Sequence, residues 1–186
     1  DYQRSRGLGD VYKRQAGTGG SLSLSGSLEI NATVDAGQFD VTLNGNDNGD
    51  DDLVVNAAVT SANDLDLTAS RDIQVNATVS SGTSVDIEAG RDIIANGLVE
   101  TTGGFLGIRL IADDDDDGSG GVQVTTAGQV SSFSDVSIRG ANLFVNGGLG
   151  APFDAVEIQD DDANAQILAN GDISICLLYT SDAADE

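Results

Sequence analysis

Three acidic stretches carry the side chains in this sequence whose chemistry is easiest to name. They span residues 44–52, 112–121 and 159–165, and each has oxygen-bearing side chains at alternate positions. In a calcium loop the chain curls so that every second side chain meets the ion, and a glycine permits the sharp turn. Calcium is therefore the one candidate cofactor, and its candidate ligands are Asn44, Asn46 and Asn48, then Asp113, Asp115 and Asp117, and then Asp160, Asp162 and Asn164.

The match to known calcium loops is partial. Counted from Asp113, the twelfth position is Val124, whereas an EF-hand has a bidentate glutamate there. The run of aspartates at 113–117 repels itself strongly, and a bound calcium ion would relieve that repulsion. Diffuse counterions around solvated loops would relieve it too, so both interpretations stay open at this stage.

Composition argues against catalysis. The chain has no histidine, and its only lysine is Lys13. Serine and threonine nucleophiles are abundant but lack a nitrogen base that would activate them. We therefore expect that the chain is not an enzyme. Glycosidases need two carboxyl groups at a defined separation, and the aspartates at 160–162 supply several, so a polysaccharide lyase or hydrolase remains an alternative.

The charge excludes one class of partner. The chain has 186 residues, of which 31 are acidic and 8 basic, and its formal net charge is −23. Such a surface repels phosphate, so no nucleic-acid partner is expected. No apolar run approaches the roughly 20 residues that a membrane helix needs, so no membrane insertion is expected.

The elements that position these residues form an internal repeat of roughly 20 residues. Each unit begins with a short segment that alternates polar and apolar residues, which is the period of a strand. The segments begin at Ser21, Asp40, Asp64, Ser84, Phe105, Asp135, Ala155 and, in a truncated unit, Asp172. A second alternating block follows in most units, as in the DIQVNATV that begins at Asp72. Each unit is thus predicted to hold two or three strands.

No unit is large enough to bury its own apolar face, and stacking successive units solves that problem. The sequence therefore predicts an all-β fold, a parallel β-helix (solenoid) of roughly seven rungs. The crossover rule for parallel strands favours right-handed coiling. An antiparallel sandwich or a barrel is the alternative, but neither needs the same residue at the same bend of every unit.

Asparagine is the residue that recurs at one bend. It tolerates the left-handed conformation of sharp bends, and its amide can bond the amide one rung away to form a ladder. We interpret these residues as a structural ladder, with a ligand-binding polar stripe as the alternative. They are Asn31, Asn56, Asn76, Asn96, Asn146 and Asn170. Arg71 and Arg91 share another bend, and each precedes an aspartate, which predicts a surface ion-pair ladder, with contact to a glycan as the alternative.

Both ends of the chain resemble translated sequencing adapters. The segments at 10–15 and 176–181 can be encoded by one DNA element read in opposite orientations. Residues 1–15 and 176–186 are therefore expected to be artefacts, with the first segment disordered. The repeat domain is expected at 16–175 as a fragment of a longer array, and it contains no cysteine.

The repeats resemble those of large bacterial exoproteins of the filamentous haemagglutinin type. The resemblance rests on residues 67–82 and 87–104, where a strand is followed by Ala-Ser or Ala-Gly, Arg-Asp-Ile and Asn-Ala or Asn-Gly. It implies a right-handed parallel β-helix, export across a Gram-negative envelope, and a role in adhesion or surface structure.

The function expected from this resemblance is that of a shaft segment of a secreted or surface-attached adhesin, a rigid spacer and adhesion scaffold. Its expected location is extracellular or on the bacterial outer surface. Expected partners are the rest of the parent polypeptide and glycans or proteins of a host or neighbouring cell. A calcium-dependent biofilm matrix protein is a further alternative.

Overall fold

A computed structural model describes residues 21–25, 28–38, 40–45, 51–103, 106–113, 120–150, 156–160 and 168–169. The expected artefact segments, 1–15 and 176–186, lie outside the described residues. Within the described ranges every regular element is a β-strand. No helix in this part of the chain has the length and apolarity that crossing a membrane requires.

The described strands, numbered β1 to β20 along the chain, form three sheets. The first sheet contains β1 (Ser21–Ser25), β4 (Asp40–Asn44), β7 (Leu65–Ala69), β10 (Val85–Ala89), β13 (Ile108–Ile111), β16 (Val136–Gly140) and β19 (Val156–Asp160). The second contains β2 (Leu28–Ile30), β5 (Leu53–Val55), β8 (Ile73–Val75), β11 (Asp92–Ala95), β14 (Gly121–Val124), β17 (Asn142–Val145) and β20 (Leu168–Ala169). The third contains β3 (Val34–Asp35), β6 (Val59–Ser61), β9 (Val79–Ser81), β12 (Leu98–Thr101), β15 (Gln129–Ser131) and β18 (Gly148–Gly150).

The chain winds as a parallel β-solenoid, which confirms the predicted fold class. Each turn adds one strand to each sheet, and strand neighbours such as β7 and β10 run parallel. The sandwich and barrel alternatives would need strands of alternating direction. The coil makes about five turns, slightly fewer than the roughly seven predicted.

The core consists of apolar residues that stack on apolar residues of the next turn. In the second sheet Leu53 lies in register with Ile73, and Ile73 with Ile93. All three are completely buried. Full burial of one such side chain contributes about 1.5–3 kcal/mol. Because side chains of a strand alternate between its faces, the residues between these core positions lie on the outside of the coil.

One register prediction is wrong. The sequence pattern began the fifth unit at Phe105, which would align Leu106 with Val85. In the structure Ile108 pairs with Val85, and Leu106 is 54% exposed. A shift of two residues keeps every side chain on its own face of the strand. The alternation alone therefore could not distinguish this register from the observed one, which buries Ile108 and Leu110.

Candidate functional site

Three corners join the sheets and carry the polar side chains of interest. The first corner leads from the first sheet to the second, as at 70–72 and 90–91. The second corner leads from the second sheet to the third, as at 76–78. The third corner leads from the third sheet to the first strand of the next turn, as at 82–84.

All three acidic insertions begin at the first corner. Each follows a strand of the first sheet, namely β4, β13 or β19. Asn44 ends β4, Asp160 ends β19, and Asp113 follows β13 by two residues with its side chain buried. The other candidate calcium ligands lie outside the described residues, and they are Asn46, Asn48, Asp115, Asp117, Asp162 and Asn164.

The described residues do not by themselves form a metal centre. No group of three or more histidine, cysteine, aspartate or glutamate side chains within the described ranges could hold a metal ion. Asp113 has a φ of 57°, the left-handed region that aspartate tolerates better than most residues. Its amide donates to the carbonyl of Arg91 at 3.2 Å, which fixes the start of its insertion. Calcium binding in the three insertions stays a prediction.

Two arginines at the first corner each clamp an aspartate of the preceding turn. Arg71 donates to Asp52 through Nε at 2.8 Å and through Nη2 at 2.5 Å. Arg91 makes the same pair of bonds to Asp72, through Nε at 2.8 Å and through Nη2. These forked contacts are the geometry that makes arginine the preferred partner of a carboxylate.

The clamped carboxylates also tie the backbone of adjacent turns together. Asp52 accepts the amide of Asp72 at 3.3 Å, and Asp72 accepts the amide of Asp92 at 3.2 Å. The hydrogen bond from Arg71 holds the pKa of the Asp52 carboxyl below its usual value, although partial burial opposes that shift. We call this set of aspartates and arginines the carboxylate ladder.

The predicted asparagine residues meet at the second corner. Asn56 donates its side-chain amide to Asn31 at 2.9 Å, Asn76 donates to Asn56 at 2.8 Å, and Asn96 donates to Asn76 at 2.8 Å. The ladder has a gap on the next turn, where Thr125 takes the equivalent position. Asn146 reoccupies the corner, where its backbone amide bonds the carbonyl of Val124. Asn170 lies outside the described residues.

The reason given for asparagine at this bend needs a correction. We expected the left-handed conformation, but Asp113 is the only non-glycine residue with positive φ in the described ranges. The corner is closed by backbone bonds between turns, such as the one from the Asn76 amide to the Val55 carbonyl at 2.8 Å. The contribution of asparagine is therefore its side chain, which can donate to one turn and accept from another.

A row of buried hydroxyl groups at the third corner was not predicted. Ser81 is completely buried, accepts the amide of Thr83 at 3.0 Å and donates to the carbonyl of Asn63. Ser61 accepts the amide of Asn63 in the same way at 2.9 Å. Farther along, the hydroxyls of Thr101 and Ser132 bond each other at 3.0 Å. The signal was present, because a hydroxyl residue recurs near the end of the third strand of successive units.

The outer face of the first sheet carries a second group of charges that sequence reasoning missed. Asp66 and Asp86 face each other on adjacent strands, and Arg109 follows Asp86 on the next. Arg109 donates to Asp86 through Nε at 2.7 Å and to Glu88 through Nη2. The acidic residues stand at outward positions of the first strands of their units. The alignment of the repeats could therefore have revealed them. We call Asp66, Asp86, Glu88 and Arg109 the acidic face.

Two carboxyl groups of the acidic face have different environments. The pKa of Asp66 is raised, first by partial burial and then by nearby negative charges. These charges belong to Asp86, Asp64, Asp40 and Glu88. Asp86 differs in its contacts, because Nε of Arg109 lies 2.7 Å from its carboxylate. Chemistry at a glycosidic bond uses two carboxyl groups, and the one that acts as general acid has a raised pKa.

Comparison with protein families, with curated proteins and with solved structures finds no match to this chain. The fold therefore rests on the structure itself, and the function must be argued from the corners and the acidic face.

Proposed function

We propose that this chain is a segment of the shaft of a secreted or surface-attached bacterial exoprotein, where it acts as a rigid spacer and adhesion scaffold. The observation that carries the proposal is that side chains at all three corners bond from one turn to the next. Asn76 bonds Asn56, Arg91 bonds Asp72, and Ser81 bonds Asn63. These side-chain hydrogen bonds join successive turns, and bonds between turns resist the bending and stretching of the coil.

The mechanism is mechanical. Hydrogen bonds between parallel strands lie across the strands, and therefore along the axis on which the turns stack, with about 4.8 Å between neighbours. The corner ladders add bonds in the same direction at the edges of the sheets. A pull along the axis therefore loads many bonds together, and bending must break ladder bonds on the outer side of the curve.

The resemblance to filamentous haemagglutinin-like repeats at 67–82 and 87–104 supports export and display at the cell surface. A net charge of −23 supports the same interpretation, because like-charged rods repel one another and stay dispersed. The proposed partners are the parent polypeptide and surface glycans or proteins of neighbouring cells.

A length variant tests the spacer function. Residues 64–83, one complete turn, would be duplicated in tandem, and the maximum dimension would be measured by small-angle X-ray scattering. We expect an increase of about 4.8 Å per added turn with no change of cross-section. A control variant, Ile87→Asp, places a charge at a fully buried position and should lose the rod-like scattering. A duplicated turn that leaves the length unchanged would contradict the spacer proposal.

Adhesion needs its own measurement. Beads can be coupled to the chain through Cys176, its single cysteine, and their retention on bacterial or epithelial cell layers can be counted under flow. We expect retention above that of beads that carry the Ile87→Asp variant, which has nearly the same composition. Equal retention of the two would remove the adhesion part of the proposal and leave the spacer part intact.

A polysaccharide-cleaving enzyme is the second candidate, and the acidic face is the observation that favours it. In that function Asp66 would donate the proton, and Asp86, held by Arg109, would act as base or nucleophile. A reducing-sugar assay over neutral and acidic polysaccharides, between pH 4 and pH 8, tests it. Product released by the unmodified chain but not by Asp66→Asn would support the enzyme, and no product on any polysaccharide would exclude it for these substrates.

A further inference from the structure

The carboxylate ladder contains two aspartates that are each paired with an arginine of the next turn, and the third aspartate is not paired in this way within the described part of the chain. Asp52 receives the guanidinium of Arg71 from the next turn, and Asp72 receives that of Arg91. Asp92 is the next aspartate in the row, and its register partner on the following strand is Gly121. Gly120 therefore stands where Arg91 stood one turn earlier, and it has no side chain to offer.

Asp92 keeps every other contact of the ladder. Its carboxylate accepts the amide of Gly121 at 3.0 Å and lies 3.3 Å from Nε of Arg91 in its own turn. The forked guanidinium from the following turn is the contact that it lacks among the described residues. The side chain of Asp92 is correspondingly 41% exposed, compared with 23% for Asp72.

No side chain at residue 120 or 121 could take the place of the missing arginine. A Cβ atom at Gly120 would lie 2.2 Å from the carbonyl oxygen of Arg91, and one at Gly121 would lie 2.2 Å from that of Asn142. Side chains are thus excluded from both positions by backbone atoms. The sequence between Asp113 and Gly120 contains no arginine or lysine that could reach in from the insertion.

The missing side chains leave a shallow depression of about 290 Å³ on the outer face of the second sheet. Its lining combines one carboxylate, an aromatic ring, an aliphatic side chain and two amides. These residues are Asp92, Phe144, Ile94, Gln123 and Asn142, with the glycine backbone at 120–121 between them. Phe144 is 41% exposed, an unusual position for an aromatic side chain on a surface this acidic.

We propose that this depression is a docking site for an arginine side chain of a partner protein. The guanidinium would take the ladder position above Asp92, as Arg71 and Arg91 do above Asp52 and Asp72. Its flat face would lie against Phe144, since arginine stacks on aromatic rings. The aliphatic stem of the arginine would cover Ile94.

Three observations favour arginine over other occupants. Both filled positions of the ladder use the Nε and Nη2 fork, which lysine does not have. The net charge of −23 attracts cations and raises their local concentration. A neutral sugar would stack on Phe144 and bond the amides, but it would not supply the forked guanidinium that Asp92 lacks from the following turn. The proposal is independent of whether the coil serves as a spacer.

The test is an NMR titration of the full ¹⁵N-labelled chain with a capped Gly-Arg-Gly peptide. We expect saturable shifts of the amides of Gly120, Gly121 and Gln123, with a dissociation constant in the millimolar range at low salt. Capped Gly-Lys-Gly should bind at least about threefold more weakly, because it cannot fork. Capped Gly-citrulline-Gly, which has the shape of arginine without its charge, should give no saturable shift.

Two variants and a matched control locate the site. Asp92→Asn keeps the acceptor for the Gly121 amide but removes the charge, and it should weaken the arginine peptide at least about fivefold. Phe144→Leu should weaken it about threefold. Asp52→Asn removes a carboxylate that Arg71 already occupies, so the affinity should stay unchanged.

Several outcomes would overturn the proposal. They are equal binding of the arginine and citrulline peptides, full affinity in Asp92→Asn, and shifts that cluster away from 120–123. Shifts at 120–123 with maltotriose but not with the arginine peptide would show a sugar site and equally overturn it. If Asp92→Asn fails to fold, Phe144→Leu and the three peptides on the unmodified chain decide the question.

Discussion

The side-chain amide of Asn76 donates a hydrogen bond of 2.8 Å to the side-chain oxygen of Asn56, its counterpart one turn earlier. Asn76 also accepts the amide of Asn96 at 2.8 Å, so it is an interior member of a continuous row. In a row of this kind each asparagine side chain donates to the asparagine of the preceding turn and accepts from that of the following turn. It also makes every member depend on its neighbours.

Replacement of an interior member of this row should cost more than replacement of a terminal one. Asn76→Ala removes two inter-turn hydrogen bonds and leaves the amides of two neighbours to water. We expect a loss of about 1–2 kcal/mol in the free energy of unfolding, measured by urea denaturation. Asn31→Ala removes one such bond and should cost about half as much.

Gln74→Ala is the matched control for Asn76→Ala. Gln74 is an outward-facing amide on the same turn, and no hydrogen bond of its side chain occurs within the described residues. Its replacement should change the stability by less than about 0.5 kcal/mol. Equal costs for Gln74→Ala and Asn76→Ala would mean that the asparagine row adds nothing to the stacking of the turns.

Replacement of a buried hydroxyl of the third corner should cost more stability than replacement of the outward-facing hydroxyl beside it. Ser81→Ala leaves the Thr83 amide and the Asn63 carbonyl without the buried hydroxyl that bonds both of them. We expect a loss of about 1–3 kcal/mol. Ser80→Ala is the adjacent control, because it breaks only one part-buried bond to Glu100 and should cost less than about 1 kcal/mol. The reverse order in a denaturation series would contradict this account of the third corner.

The solenoid could be predicted because two simple periods coincide in this chain. Alternation along each strand sets which side chains face inward, and a repeat near 20 residues sets which residues stack. Leu53, Ile73 and Ile93 satisfy both, and they lie in register as the repeat requires. The exception is the unit with Leu106, where a shift of two residues satisfied the alternation equally well.

The charged contacts were harder to predict because they depend on register between turns. The Arg-Asp pairs at 71–72 and 91–92 suggested ion pairs, but the forked bond reaches the aspartate of the preceding turn. Asp66 and Asp86 were visible as outward positions, yet their direct opposition follows only from the observed pairing. The candidate calcium ligands lie mostly outside the described residues, so their prediction is untested.

The salt bridge of the carboxylate ladder should make stability depend on acid pH. The bond from Arg71 lowers the pKa of Asp52 below 3.8, its usual value. A lowered pKa in the folded state contributes stability above the unfolded value and loses it as the pH falls through the folded value. Asp52→Asn should therefore lower the melting temperature by about 1–3 °C at pH 7, since exposed pairs are worth little.

The difference between this variant and the unmodified chain should shrink as the pH falls below 3.8, because the Asp52 carboxyl then becomes protonated first in the unfolded and afterwards in the folded state. Arg71→Gln supplies the second arm of a double-mutant cycle at pH 7. We expect the double variant to be no less stable than the less stable of the two single variants, because each single substitution already breaks the same Arg71–Asp52 interaction. Additive losses would show that Asp52 and Arg71 act independently.

Asp66 should show the opposite pH dependence. Its pKa is raised above 3.8 by burial and by the like charge of Asp86 across the strand pair. A raised pKa in the folded state means that ionisation of Asp66 disfavours folding as the pH rises through that value. Asp66→Asn should therefore raise the melting temperature at pH 7 by about 1–3 °C, the size expected for relief of directly opposed like charges.

The gain from Asp66→Asn should vanish well below pH 3.8, where the carboxyl is neutral in both states. Asp86→Asn is the informative control, because Asp86 holds Arg109 through a bond of 2.7 Å. Its replacement relieves Asp66 but weakens that ion pair, so its net effect at pH 7 should be smaller than the gain from Asp66→Asn. Thermal scans of the three chains at pH 3 and pH 7 test this. A destabilised Asp66→Asn at pH 7 would show that the Asp66 carboxylate is held by favourable contacts, and the acidic face would then lose the unequal carboxyl pair on which the enzyme candidate depends.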